Sequence, residues 1–242
     1  MIGALLAVAL AAFVAAAGGA AAGGAAPRPV VVVDPGHDLR ANLSTEPIGP
    51  GSATRKIRDG GGTRGVVSGV REAELVLAVS LRLRSLLERA GVKVVMTRTR
   101  TARTSMGNIA RARIANRAGA RLFLRVHADG ASNPSASGTS VLVPARRTGW
   151  TDDVYGASRG AAALLLEETG RALGLPARGV VERSDFTGFN WSDVPVALVE
   201  LGFMTNPAED RLLTSARGRA AAALGLCRGT LRFLGRDPAR CG

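Results

Sequence analysis

Cysteine is nearly absent: the 242 residues hold only Cys227 and Cys241. A thiolate metal cluster and a disulfide-built scaffold are thereby excluded, and the pair forms either one bond in an oxidising compartment or two separate thiols. Histidine is as scarce, so any imidazole chemistry rests on His37 and His127. Aromatic residues are 4% of the chain, and no basic run is interleaved with them, which argues against a base-stacking nucleic-acid platform. Beyond the N-terminus no uncharged stretch reaches membrane-spanning length, which argues against a polytopic membrane protein. Acidic residues are outnumbered 19 to 32 by basic ones, a formal charge of +13 in which only Lys56 and Lys93 are lysines.

Apolar residues make up 46% of the chain, too many for a disordered segment and enough for one α/β domain with a normal core. No charge occurs before Arg28, and residues 2–17, IGALLAVALAAFVAAA, are wholly apolar. Residues 1–27 read as a secretory signal peptide with a small-residue cleavage zone, or as an uncleaved N-terminal anchor. Alanine and glycine retain a segment in a membrane poorly, which favours export, with the mature chain starting near residues 21–28. Outside the cell, the positive charge would meet polyanionic surface polymers rather than nucleic acid.

Past Pro27, apolar runs alternate with helical patterns. Val30–Val33 reads as a buried strand ending at Asp34-Pro35-Gly36. Residues 38–70, rich in Gly, Arg, Ser and Thr, read as a long functional loop or lid without secondary structure. Residues 71–90 have helical periodicity, with Leu75, Val76, Val79, Leu83, Leu86 and Leu87 on one stripe and Gly91 as the stop. Strands follow at 92–97, 122–126, 138–143 and 194–199, and helices at 107–118, 156–173 and 215–234. Asn206-Pro207-Ala208-Glu209 starts a further helix. This alternation predicts a single α/β domain over residues 28–242, built on a mostly parallel open sheet with helices on both faces.

Three polar residues stand at the C-terminal ends of apolar runs: His37, His127 and Glu200. That edge of an open α/β sheet is where ligands bind. Glu72 points along the centre of the apolar stripe of its helix, whereas Glu74 points about 200° away. A core-facing carboxylate is costly unless it is paired or holds a metal. Two imidazoles and a carboxylate form a His₂Glu donor set of the kind that binds zinc with one position open.

The stretch Val31-Val32-Val33-Asp34-Pro35-Gly36-His37 resembles the first signature of the type 3 zinc-dependent N-acetylmuramoyl-L-alanine amidases. Residues 72–98, 111–116, 126–129 and 199–206 are similar to that family's later blocks, in order. The resemblance covers about residues 29–235. It implies one zinc ion held by His37, Glu72 and His127, with Glu200 as the catalytic carboxylate. It implies hydrolysis of the amide between N-acetylmuramic acid and L-alanine in peptidoglycan. The protein is expected to act as an exported monomer, and its positive charge to bring it to anionic wall polymers. Asp34 and Asp129, adjacent to the metal-site segments, are candidates either for orienting the imidazoles or for turns and caps. Arg111 is either a structural arginine or a substrate contact. The chain departs from the family in having Asp38-Leu39 where Gly-Gly is usual, Arg125 where Ser is usual, a longer basic loop after His37, and no wall-binding repeats.

Overall fold

Val31, Val32 and Val33 are all fully buried because their strand is covered on both faces. This strand, β1 (Val30–Pro35), lies between two parallel neighbours, β4 (Lys93–Met96) and β5 (Leu122–Asp129). The computed structural model describes residues 27–102 and 106–242; the segment carrying the signal or anchor expectation lies outside the described residues. The six-stranded sheet has the order β4-β1-β5-β8-β6-β7, completed by β6 (Thr139–Pro144), β7 (Ala177–Arg183) and β8 (Val196–Phe203). Only the β6–β8 pairing is antiparallel, so the predicted mostly parallel α/β sheet is the one observed.

The two faces of this sheet are covered unequally. On one, α1 (Glu72–Arg89), α3 (Tyr155–Leu173) and α6 (Ala216–Phe233) pack the larger core, which includes Val31, Val33, Leu122, Leu124, Val126, Val199 and Leu201. The predicted stripe of α1 supplies Leu75, Val76, Val79, Leu83 and Leu87, each fully or almost fully buried, a gross gain of about 1.5–3 kcal/mol apiece. Leu86 is only partly buried. Gly91, at φ 81°, adopts the left-handed conformation that releases the chain into β4. On the other face, α2 (Asn108–Arg117) and the single turn α4 (Thr187–Asn190) cover a smaller cluster around Val32, Phe123, Phe189, Val196 and Leu198. Near the C-terminal ends of β5 and β8, this thinner layer leaves a cleft.

Residues 38–70 are not the structureless loop expected from their composition. They contain an antiparallel ribbon, β2 (Asn42–Pro47) and β3 (Arg55–Asp59), whose polar sequence lacks the clear alternation that marks a strand. Tertiary contacts hold it. Buried Glu46 accepts the Asn108 N–H at 2.6 Å, supplying the acidic cap that Gly107 cannot give α2. Trp191 donates its indole N–H to the Pro47 carbonyl at 3.0 Å. Strand β7, with its mostly exposed pattern, was likewise not marked by periodicity. Asn206 caps α5 (Pro207–Thr214) as its sequence predicts, accepting the N–H groups of Ala208 and Glu209. The two cysteines form a disulfide that ties α6 to the C-terminal turn Pro238–Cys241.

Candidate functional site

β4 and β5 flank β1 on opposite sides, so the chain reverses its direction of strand addition between β1 and β5. A crevice opens at such a switch point, beyond the strands' C-terminal ends. His37 follows β1 there, two residues beyond the strand, at φ 53°. A left-handed conformation in a non-glycine residue costs about 1 kcal/mol and here turns the imidazole into the crevice. Arg98 steadies this turn from beneath, donating to the carbonyls of Pro35, Gly36 and Ala73. The last of these ties the approach to His37 to the first turn of α1.

His127 and Glu200 do not lie just past their strands, as their flanking runs suggested. Both are within them, directly paired in the β5–β8 register. Glu72 reaches the same point from the opposite helical layer, because the N-terminus of α1 projects past the sheet edge. Its Oε1 lies 3.3 Å from His37 Nε2 and 3.0 Å from His127 Nδ1. Oε1 also accepts the Ala128 N–H at 3.2 Å, while Oε2 accepts the Thr63 N–H at 2.9 Å. The two rings stand nearly perpendicular, with centroids 4.8 Å apart. This packing requires glycine at position 36, where a Cβ would stand 2.3 Å from His127 Cε1.

Three of the four predicted site residues thus form a compact donor group. One ligand atom each from His37, Glu72 and His127 fits within 4.8 Å of the others, a spacing suited to a single metal ion. Two nitrogens facing one carboxylate oxygen are a borderline donor set, matched to a transition-metal ion of the zinc type rather than to calcium or magnesium, which take oxygen donors. His127 Nε2, shielded from solvent, has no hydrogen-bond partner among the described residues. Glu200 Oε2 is shielded and unpartnered in the same way.

The residue that orients His37 was missed from the sequence. It is Asp59, at the end of β3, whose Oδ1 lies 2.5 Å from His37 Nδ1 and so directs Nε2 toward Glu72. Neither earlier candidate does this. Asp34 is completely buried and binds Thr97, Arg111 and Arg125 instead. Asp129 accepts the Gly130 N–H at 2.7 Å. Asp59 carried no motif signal, because its 22-residue separation from His37 is closed only by the ribbon. Arg111 is buried and donates to Asp34, to the Pro35 carbonyl and to the His37 carbonyl, and it also lines the cleft.

The electrostatics divide the site. Burial opposes charge on His37, but the hydrogen bonds to Asp59 and Glu72 outweigh it and push its pKa up to about 10. Burial likewise opposes charge on Glu72, yet the hydrogen bonds with His127 and His37 hold its carboxyl well below the usual range. In His127, burial prevails over the Glu72 hydrogen bond and lowers the pKa. Glu200 moves the other way from Glu72. Burial, then the nearby charges of Glu72 and Asp129, raise its pKa well above that of a free glutamate. Their surroundings thus push the two carboxyl pKa values in opposite directions, Glu72 down and Glu200 up, a division characteristic of acid–base sites.

The model of the N-acetylmuramoyl-L-alanine amidase family matches residues 31–232. N-acetylmuramoyl-L-alanine amidase Rv3717 of Mycobacterium tuberculosis is 32% identical over 214 residues, covering 85% of this chain and 86% of that protein. N-acetylmuramoyl-L-alanine amidase AmiC of Neisseria meningitidis is 28% identical over 246 residues; the alignment covers 86% of this chain but 53% of AmiC, so the chain spans about half the length of that relative. Among solved structures, the N-acetylmuramyl-L-alanine amidase Ami1 of Mycobacterium smegmatis is similar at a TM-score of 0.78 and 29% identity, covering 86% of this chain and 97% of Ami1. The family match spans every element that brings a side chain to the crevice, and the chain belongs to the type 3 N-acetylmuramoyl-L-alanine amidase family, as an enzyme of that class.

Proposed function

We propose that the protein is a zinc-dependent peptidoglycan hydrolase that cleaves the amide joining the lactyl group of N-acetylmuramic acid to the L-alanine of the stem peptide. The observation that carries this reading is the convergence of His37, Glu72 and His127 beside Glu200, whose shielded Oε2 has no hydrogen-bond partner among the described residues, at the sheet's switch point. His37, Glu72 and His127 would hold the ion. Zinc held there supplies Lewis acidity, polarising the scissile carbonyl and acidifying water. Asp59 keeps the His37 ring oriented with Nε2 inward. Glu200 takes a proton from the attacking water and delivers it to the alanine nitrogen, which would otherwise leave as a very basic anion. Burial and the neighbouring carboxylates raise its pKa above that of a free glutamate, which makes its carboxylate form the stronger base for the first half of that transfer. The apolar N-terminal segment, residues 1–27, would deliver the catalytic domain outside the membrane, where its positive charge favours adsorption to anionic wall polymers.

Mass spectrometry of a digest of purified peptidoglycan identifies the bond. Free stem peptides beginning at L-alanine, together with intact glycan, are the expected products. Cleavage within the glycan or within the peptide would overturn the reading.

The two glutamates of α1 test the ligand assignment. Glu72→Ala should lower zinc occupancy sharply, because two imidazoles remain. It should also destabilise the metal-free protein by about 1–3 kcal/mol, since the N–H groups of Thr63 and Ala128 lose their acceptor. Glu74 is exposed, and its carboxylate accepts the Arg71 N–H at the helix start, at 3.2 Å, with no other hydrogen bond among the described residues. Glu74→Ala should keep zinc and change stability by about 0.5 kcal/mol or less. Metal content and thermal melting, measured side by side, distinguish the two; zinc lost from Glu74→Ala and kept in Glu72→Ala would refute the assignment.

A further inference from the structure

We propose that the arm of the cleft between β3 and α4 receives the peptide half of the substrate, and that Arg125 there selects a free carboxylate on the stem's second residue. The proposal rests on the amidase reading above and deepens it. Two arms meet at His37, His127 and Glu200. The first, about 240 Å³, is lined by the cations Lys56, Arg58, Arg111 and Arg125, with Asp59 and Asp185. The second, about 460 Å³, is lined by Glu72 and Asp129 and by no lysine or arginine. The amino sugars of the substrate are neutral, whereas its stem peptide carries carboxylates. Charge complementarity therefore sends the peptide into the first arm.

Arg125 is placed to read one of those carboxylates. It precedes His127 by two residues on β5, so both side chains leave the same face of the strand, about 7 Å apart. A carboxylate on the second peptide residue stands about 7 Å, two extended residue lengths, from the scissile nitrogen. The guanidinium is almost wholly buried, at 4% exposure, and it is held at two points. Its Nε donates to Asp34 Oδ2 and its Nη2 to Asn108 Oδ1, both at 2.8 Å. Nη1 has no hydrogen bond among the described residues and faces Gly188, where a Cβ would stand only 2.4 Å away. Glycine at 188 thus keeps this nitrogen open to the cleft. The positive charge is also incompletely matched, because Asp34 is shared between Arg111 and Arg125. A fixed guanidinium with an unused N–H pair is suited to a charge-assisted bond with a carboxylate; a carboxamide offers only its neutral carbonyl oxygen, which accepts the same N–H more weakly and leaves the positive charge unmatched.

The test uses two synthetic muramyl peptides identical except for a carboxylate or a carboxamide on the second residue. Zinc-loaded wild-type protein should cleave the carboxylate form with a kcat/KM higher by about tenfold, mainly through KM. In Arg125→Ser and in Gly188→Ala the preference should fall below about twofold. Calorimetric titration with the two matching dipeptides, which requires no turnover, should give the same order. Gly188→Ala retains the Asp34–Arg125 pair and decides the question if Arg125→Ser does not fold. Equal cleavage by the wild type, or a preference retained in the folded variants, overturns the role of Arg125 and leaves the amidase reading standing. Cleavage of neither substrate overturns that reading and this proposal together.

Discussion

Glu200→Gln is expected to lose about 10²–10⁴-fold in kcat while keeping both its fold and its zinc. The substitution preserves shape and removes only the capacity to carry a proton. The side chain sits opposite His127 in the β5–β8 register, and its Oε2 bonds nothing among the described residues, so no structural hydrogen bond is lost there. Stability gives an independent check. Glu200 has a raised pKa in the folded protein, so folding favours its protonated form; that contribution is fully present below the ordinary glutamate range and is lost as pH rises toward the folded-state value. Metal-free wild type and Glu200→Gln should therefore melt alike at acidic pH, and the variant should be the more stable at neutral pH. Loss of zinc from Glu200→Gln would make Glu200 a ligand and refute its assigned role.

Removing the metal should reduce peptide release from peptidoglycan to background, and stoichiometric zinc should restore it. The metal-free site has a definite proton inventory that sets how tightly zinc returns. His37 holds a proton against Asp59 and Glu72 up to about pH 10, while Glu72 remains ionised. Zinc must displace that proton, so its apparent affinity should rise by about tenfold per pH unit across the neutral range. Competition with a chelator of known affinity between pH 6 and pH 8 measures this slope. Full activity in rigorously metal-free protein would overturn the zinc assignment, and a flat slope would show that His37 is not protonated in the empty site.

Asp59 illustrates which parts of the site are legible in a one-dimensional pattern. His37, His127 and Glu200 stand out because each interrupts or ends an apolar run, and Glu72 because it breaks the polarity of its own helical stripe. These are local signals, produced by burial of the strands and of one helix face. Asp59 lies in a polar ribbon where one more carboxylate changes no periodicity. Its function depends on β2 and β3 folding back over the cleft, held by Glu46 at the start of α2 and by Trp191. Asp34 is the converse case. Its position three residues before His37 suggested a partner for the ring, yet it lies on the strand face that meets Arg111 and Arg125, and these take its carboxylate.

The amino-acid sequence by itself determined the order of the sheet's strands other than β7 and of the long helices, the mostly parallel sheet, the helical register that turns Glu72 inward and Glu74 outward, and the four residues of the proposed centre. All of these follow from hydrophobic periodicity, helix stop and cap signals, and the scarcity of histidine. Only the tertiary structure decided the pairing of Cys227 with Cys241, the Asp59–His37 hydrogen bond, the existence of the β2–β3 ribbon, and the burial of Arg125 with one nitrogen left toward the cleft. Arg125 meets Asp34 because β1 and β5 become neighbours in the sheet, the ribbon that carries Asp59 is held by Glu46 at α2 and by Trp191, and Cys227 reaches Cys241 because the chain turns back after α6; none of these meetings is written in a local pattern of polarity.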